Sequence, residues 1–146
     1  MSHSLTSIHI HAVFSTKGRQ ELLKGDFRTR MHAYLGGIVR ELGVKPVIVN
    51  GTADHVHLLI DLPPHLSLSD CMRVVKTNSS RWAGEQQKRF AWQRGFSAFS
   101  VSTSAMPAIT KYIAQQEQHH SKMGFDQELR ALLKKHGVMF DERDLD

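Results

Sequence analysis

Two segments of this chain alternate apolar side chains with imidazoles at a period of two, and no other pattern in it restricts the fold as strongly. In Ile8-His9-Ile10-His11-Ala12-Val13-Phe14-Ser15, one face carries Ile8, Ile10, Ala12 and Phe14 and the other His9, His11, Val13 and Ser15. In His55-Val56-His57-Leu58-Leu59-Ile60-Asp61, Val56, Leu58 and Ile60 oppose His55 and His57. Each reads as a strand with one side committed to a core. If the two strands are central neighbours, their imidazoles share the other side.

The remaining elements follow from periodicity and punctuation. Apolar residues at Phe27, Met31, Tyr34, Leu35, Ile38 and Leu42 predict a helix from about Asp26 to Leu42, closed by Gly43. Val44 to Asn50 is β-branched and, with a turn at Gly51-Thr52-Ala53-Asp54, predicts a hairpin with the strand from His55. After Pro63-Pro64, Ser67 or Ser69 can cap a second helix running to about Gln87, with Leu68, Met72, Val75 and Trp82 on its apolar stripe. Phe90 to Val101 suits a fourth strand, interrupted near Gly95, and Pro107 opens a third helix to about Lys122. Phe125 to His136 predicts a short terminal helix, and the acidic end from Asp141 to Asp146 is expected to fray. The order β-α-β-β-α-β followed by helices predicts a ferredoxin-like (RRM-like) α+β domain. Its antiparallel sheet would have helices on one face, an open second face and an additional C-terminal helix bearing Tyr112.

At 146 residues, residues 1–146 are expected to form a single domain. The composition is that of a soluble globular protein. No apolar run approaches the ~20 residues of a membrane-spanning helix, and the first residues lack the pattern of a signal peptide, so a cytoplasmic protein without membrane partners is expected. The one cysteine, Cys71, excludes an intrachain disulfide and a cysteine-rich zinc site, and reads as a small buried residue. The net charge of +5 is unevenly spread: residues 1–123 hold 15 Lys and Arg against 8 Asp and Glu, residues 124–146 only 4 against 6. A basic field of this kind attracts polyanions, although it supports binding and not chemistry. Arg73, Lys76, Thr77, Ser80 and Arg81 recur at helical spacing, so cations and hydroxyls line one face of the second helix.

Candidate chemistry begins at His55-Val56-His57. Imidazoles two apart on a strand lie about 7 Å apart in Cα terms and can converge on one divalent cation. Such a pair can also be incidental, since His9-Ile10-His11 has the same spacing. The turn before the second pair and Asp54 beside it as an orienting carboxylate distinguish it. A metal site needs further donors. On the third helix, Tyr112 and Gln116 stand at i and i+4, and His119 and His120 continue that face. By itself a helical tyrosine fits amphipathic packing as well as a nucleophile.

Together these motifs carry a resemblance. Asp54-His55-Val56-His57-Leu58-Leu59, the basic run Met72 to Arg81, Trp92-Gln93-Arg94-Gly95-Phe96 and Tyr112-Ile113-Ala114-Gln115-Gln116 occur in an order that resembles the single-tyrosine HUH transposases, the small insertion-sequence transposases and their domesticated relatives. Val13-Phe14-Ser15-Thr16-Lys17 matches too, and Gln115-Gln116 after the tyrosine fits the insertion-sequence branch better than the repeat-associated one, which commonly has Asn-Pro there.

The resemblance implies an enzyme that cleaves and rejoins single-stranded DNA. Tyr112 would be the nucleophile, forming a 5′-phosphotyrosine link and freeing a 3′-OH, and His55, His57 and Gln116 would hold Mg²⁺ or Mn²⁺. A hard cation suits phosphate oxygens. It further implies hairpin-containing element ends as substrate and a homodimer, with the tyrosine helix serving either its own chain or its partner. Lys17, Arg19, Arg73, Lys76 and Arg81 would track the DNA backbone, and Trp92 or Phe96 could stack on a base or belong to the core. The alternative is a domesticated protein that binds DNA hairpins without transposition activity. An RNA-recognition module would instead carry aromatics where His9, His11, His55 and His57 stand. A histidine-triad hydrolase would need a third His at Leu59.

Overall fold

The computed structural model describes residues 3–145. Four strands, β1 (His9–Ser15), β2 (Lys45–Gly51), β3 (His55–Asp61) and β4 (Ser97–Val101), form one antiparallel sheet in the order β2-β3-β1-β4. Helices α1 (Gly25–Glu41) and α2 (Leu68–Gln86) cover one face. This is the ferredoxin-like α+β arrangement that the element order predicts. Among the described residues, no helix is long and apolar enough to cross a membrane.

The period-two pattern explains the first core. Ala12 and Phe14 on β1 and Val56, Leu58 and Ile60 on β3 are all fully buried against Met31, Leu35, Cys71, Met72 and Val75 from the two helices. Gly43, at φ 78°, ends α1 as expected. Ser67 caps α2, its Oγ accepting from the Asp70 N–H at 3.0 Å.

Four expectations need correction. The second sheet face is not open: α3 (Met106–Ala114), α4 (Gln116–His120) and α5 (Phe125–Lys135) lie on that side. There Val13 and Phe99 join Phe125, Leu129, Leu133 and Leu145 in a second core. The predicted third helix is two, parted at Gln115 (φ −104°, ψ 26°). Asn50 Nδ2 donates to the carbonyls of Ile113 at 2.9 Å and Ala114 at 3.3 Å, satisfying the end of α3 from the side. The fourth strand begins only at Ser97: Trp92 makes a single bridge to Thr16, and the chain then turns through Gly95 at φ 70°. The acidic end is packed as far as Leu145, which is buried and whose carbonyl accepts from Arg19 Nη2 at 2.7 Å. Asp146 lies outside the described residues.

Candidate active site

The β1–β3 register sets His11 opposite Leu59, Val13 opposite His57 and Ser15 opposite His55, so His11, His55 and His57 project from the same face. The C-terminal helices bury all three to within 1% of full enclosure. His9, at the far end of β1, stands apart: its Nδ1 lies 2.5 Å from Asp61 Oδ1.

One carboxylate gathers the site. Glu128, in the first turn of α5, is buried, and its Oε1 lies 3.2 Å from His57 Nε2, 3.3 Å from His55 Nε2 and 2.8 Å from His120 Nε2. Its Oε2 accepts from the Tyr112 hydroxyl and, at 3.1 Å, from Gln116 Nε2. Gln116 is itself buried, its Oε1 3.1 Å from His55 Nε2. Although the helix breaks after Tyr112, α4 continues the inward face: His119 meets the Tyr112 ring edge-on at 5.1 Å and His120 packs against His55. Tyr112, Gln116 and His120 therefore adjoin the His pair of the same chain, with His119 behind Tyr112.

Sequence reasoning missed Glu128. A signal was present: with Phe125, Leu129 and Leu133 it occupies the i, i+3, i+4, i+8 stripe of α5, a lone acid at an otherwise apolar position.

The electrostatics follow from this enclosure. Burial opposes protonation of His55, but hydrogen bonds to Asp54 (Nδ1–Oδ1 2.7 Å) and Glu128 outweigh it and raise its pKa to about 9. Burial alone would raise the Glu128 carboxyl, yet hydrogen bonds from His120, His55 and His57 hold it well below the usual range. Burial, followed by the Glu128 charge, pushes the Tyr112 phenol up, so the hydroxyl keeps its proton at rest. His11 is held neutral, its pKa lowered to about 3 by burial and then by His57.

His55, His57 and Glu128 offer ligand atoms that all lie within 4.8 Å of one another, and Gln116 Oε1 adjoins them. Two imidazole nitrogens with carboxylate and carboxamide oxygens form a donor set suited to a divalent cation.

The five cations expected on DNA separate into two groups. Lys17, Arg73 and Arg81 are exposed. Lys76 and Arg19 are engaged internally: Lys76 Nζ donates to the carbonyls of Gln93 (2.7 Å) and Gly95, and Arg19 to Asp126 Oδ1 (2.9 Å) and the Leu145 carbonyl. Trp92 belongs to the core, edge-on to Phe14 and Phe90, with Nε1 donating to Ser79 Oγ at 2.9 Å. Phe96 is half-buried beside Arg73, Thr77 and Ser80 along a groove of about 430 Å³.

Residues 4–116 match the family described as "Transposase IS200 like". The transposase for insertion sequence element IS200 of Salmonella typhimurium is 28% identical over 132 residues, covering 85% of this chain and 86% of the relative. The ISDra2 transposase TnpA of Deinococcus radiodurans is 24% identical over 122 residues, covering 75% and 84%. Among solved structures, a Deinococcus radiodurans protein superimposes with a TM-score of 0.66 at 21% identity, covering 80% of this chain and 95% of that one. A REP-associated tyrosine transposase bound to a REP hairpin gives 0.59 at 14% identity, covering 86% and 73%. Glu128 and α5 lie beyond the segment that matches the family.

Proposed function

Since the chain belongs to the IS200-like transposase family, whose members cleave and move DNA, we propose that it cuts and rejoins single-stranded DNA at hairpin-bearing ends, with Tyr112 as nucleophile. The observation that carries this reading is the convergence of the Tyr112 hydroxyl, Gln116 and the Nε2 atoms of His55 and His57 on the Glu128 carboxylate.

His55, His57 and Glu128, with Gln116 beside them, would hold the divalent cation, Mn²⁺ or Mg²⁺. When bound, such an ion polarises the scissile phosphate and stabilises the charge that builds on its oxygens. Asp54 backs His55 at Nδ1 and leaves Nε2 pointed into the site. The phenol, protonated at rest, gives up its proton to solvent as Oη attacks phosphorus. The bond between phosphorus and the 3′ oxygen breaks, and that oxygen takes up a proton to become a free 3′-OH. The tyrosyl phosphodiester keeps the bond energy, so a 3′-OH can attack it and restore Tyr112 without ATP.

Lys17, Arg73 and Arg81 would supply phosphate contacts, with Phe96 available for stacking on a base. In this proposal the whole chain works as one domain, as a homodimer in the cytoplasm. The test is to incubate it with candidate single-stranded ends and Mn²⁺ and look for a protein–DNA adduct that survives denaturation. Adduct formed by the native chain and absent from Tyr112→Phe is the expected result. Adduct formed equally by Tyr112→Phe would reject the nucleophile.

A further inference from the structure

His11 is fully enclosed and lies outside the set of groups that would hold the cation or attack the phosphate. Its Nε2 lies 2.8 Å from His57 Nδ1, and the two rings stack at 5.0 Å with 24° between their planes. Phe99, tilted at 6.1 Å, and Tyr112, edge-to-face at 6.4 Å, also adjoin the His11 ring. A buried imidazole used only to fill space would be better replaced by an apolar ring, because its nitrogens resist desolvation.

His57 presents one ring nitrogen to His11 and the other to Glu128. The two nitrogens of a neutral imidazole are linked, since the proton sits on one and the lone pair on the other. To give its Nε2 lone pair to a cation, His57 must carry its proton on Nδ1. That proton then needs an acceptor, and His11 Nε2 is the atom in place. If His57 Nδ1 accepts from His11 instead, the His57 proton moves to Nε2, where it donates to Glu128 and closes that nitrogen to a metal. His11 can serve either arrangement because an imidazole nitrogen can donate or accept. His55 has a different backing: the Asp54 carboxylate can only accept and so fixes its proton on Nδ1.

We propose that His11 is the positioning residue for His57, holding its ring so that Nε2 faces the cation site and accepting the hydrogen bond of the His57 Nδ1–H when the cation binds. This inference rests on reading the cluster as a metal site, and its test separates the two claims. The full chain is compared with His11→Phe, which keeps the bulk of the ring without nitrogens, with His11→Gln, which keeps groups that donate and accept, and with His55→Ala as reference. Mn²⁺ affinity is measured by calorimetry, folding by thermal unfolding, and the ring-nitrogen shifts of His57 by NMR on the metal-free protein.

His11→Phe should stay folded, weaken Mn²⁺ binding about ten- to hundredfold and alter the His57 nitrogen shifts, while His11→Gln recovers most of the loss. Native Mn²⁺ affinity in His11→Phe, beside its loss in His55→Ala, would overturn the role of His11 and leave the metal site standing. If the unaltered chain binds no Mn²⁺, the metal reading fails and the positioning role falls with it. Should His11→Phe unfold, His11→Leu takes its place: weakened Mn²⁺ binding with altered His57 shifts in a folded protein supports the role, and native affinity overturns it.

Discussion

Each ionisable group of the site has its state set by an immediate neighbour. His55 holds a proton up to a pKa of about 9 because its hydrogen bonds to Asp54 and Glu128 overcome the burial that would otherwise expel it. A cation must displace that proton from Nε2, so binding competes with protonation over the whole range below pH 9. Mn²⁺ affinity should therefore rise with pH, by about tenfold per unit between pH 7 and 9, and level off above it. Calorimetry in buffers of different ionisation enthalpy should show a proton released at pH 7. Affinity that is flat over that range would mean that His55 is already neutral. The His pair and the Tyr-x-x-x-Gln spacing were legible because a strand face and a helix face have fixed periods. Glu128 was not singled out, because its partners lie at least eight residues away in the chain and only packing brings them together.

At the level of elements, the basic face of α2 divides by geometry into two solvent-exposed cations, Arg73 (beside Asp70 at 3.7 Å) and Arg81, and one that secures a loop. Arg73, Lys76 and Arg81 all lie on the polar side, as their spacing requires, yet the Lys76 ammonium ties down the 93–95 turn and lies over the Phe14 ring. Burial lowers its pKa to about 8. Arg73→Ala and Arg81→Ala should each lower the slope of log affinity against log salt for single-stranded DNA by about one and leave stability nearly unchanged. Lys76→Met should leave that slope alone and reduce stability, because two loop carbonyls lose their donor. Filter binding across a salt series and chemical denaturation distinguish the two classes, and a lowered slope in Lys76→Met would return that residue to the DNA surface. Helical periodicity identified the face. It could not identify which cation folds back, since that depends on where the chain after α2 crosses it.

On the scale of the whole molecule, the sheet is a partition between two cores, and the proposed active site is built into the second. Val13 and Phe99 meet Phe125, Leu129 and Leu133 there, and this packing presents Glu128 to the His pair. Leu129→Ala should cost about 2–5 kcal/mol in chemical denaturation. Because Leu129 adjoins Glu128, the same change should also weaken Mn²⁺ binding, and unchanged affinity would separate the site from its packing. What the sequence determined by itself is what short-range periodicity and turn chemistry control: the four strands and main helices, their order, the first core, and the shared face of His11, His55 and His57. Tertiary structure decided that this face is closed by α3, α4 and α5, that Asn50 parts α3 from α4, that Arg19 draws in the acidic end, and that Glu128 joins the site. The division has a physical cause. Alternation along a strand says which side chains share a face, but what covers that face depends on the path of distant segments, and β1 already carried Val13 as a second apolar surface that α5 could bury.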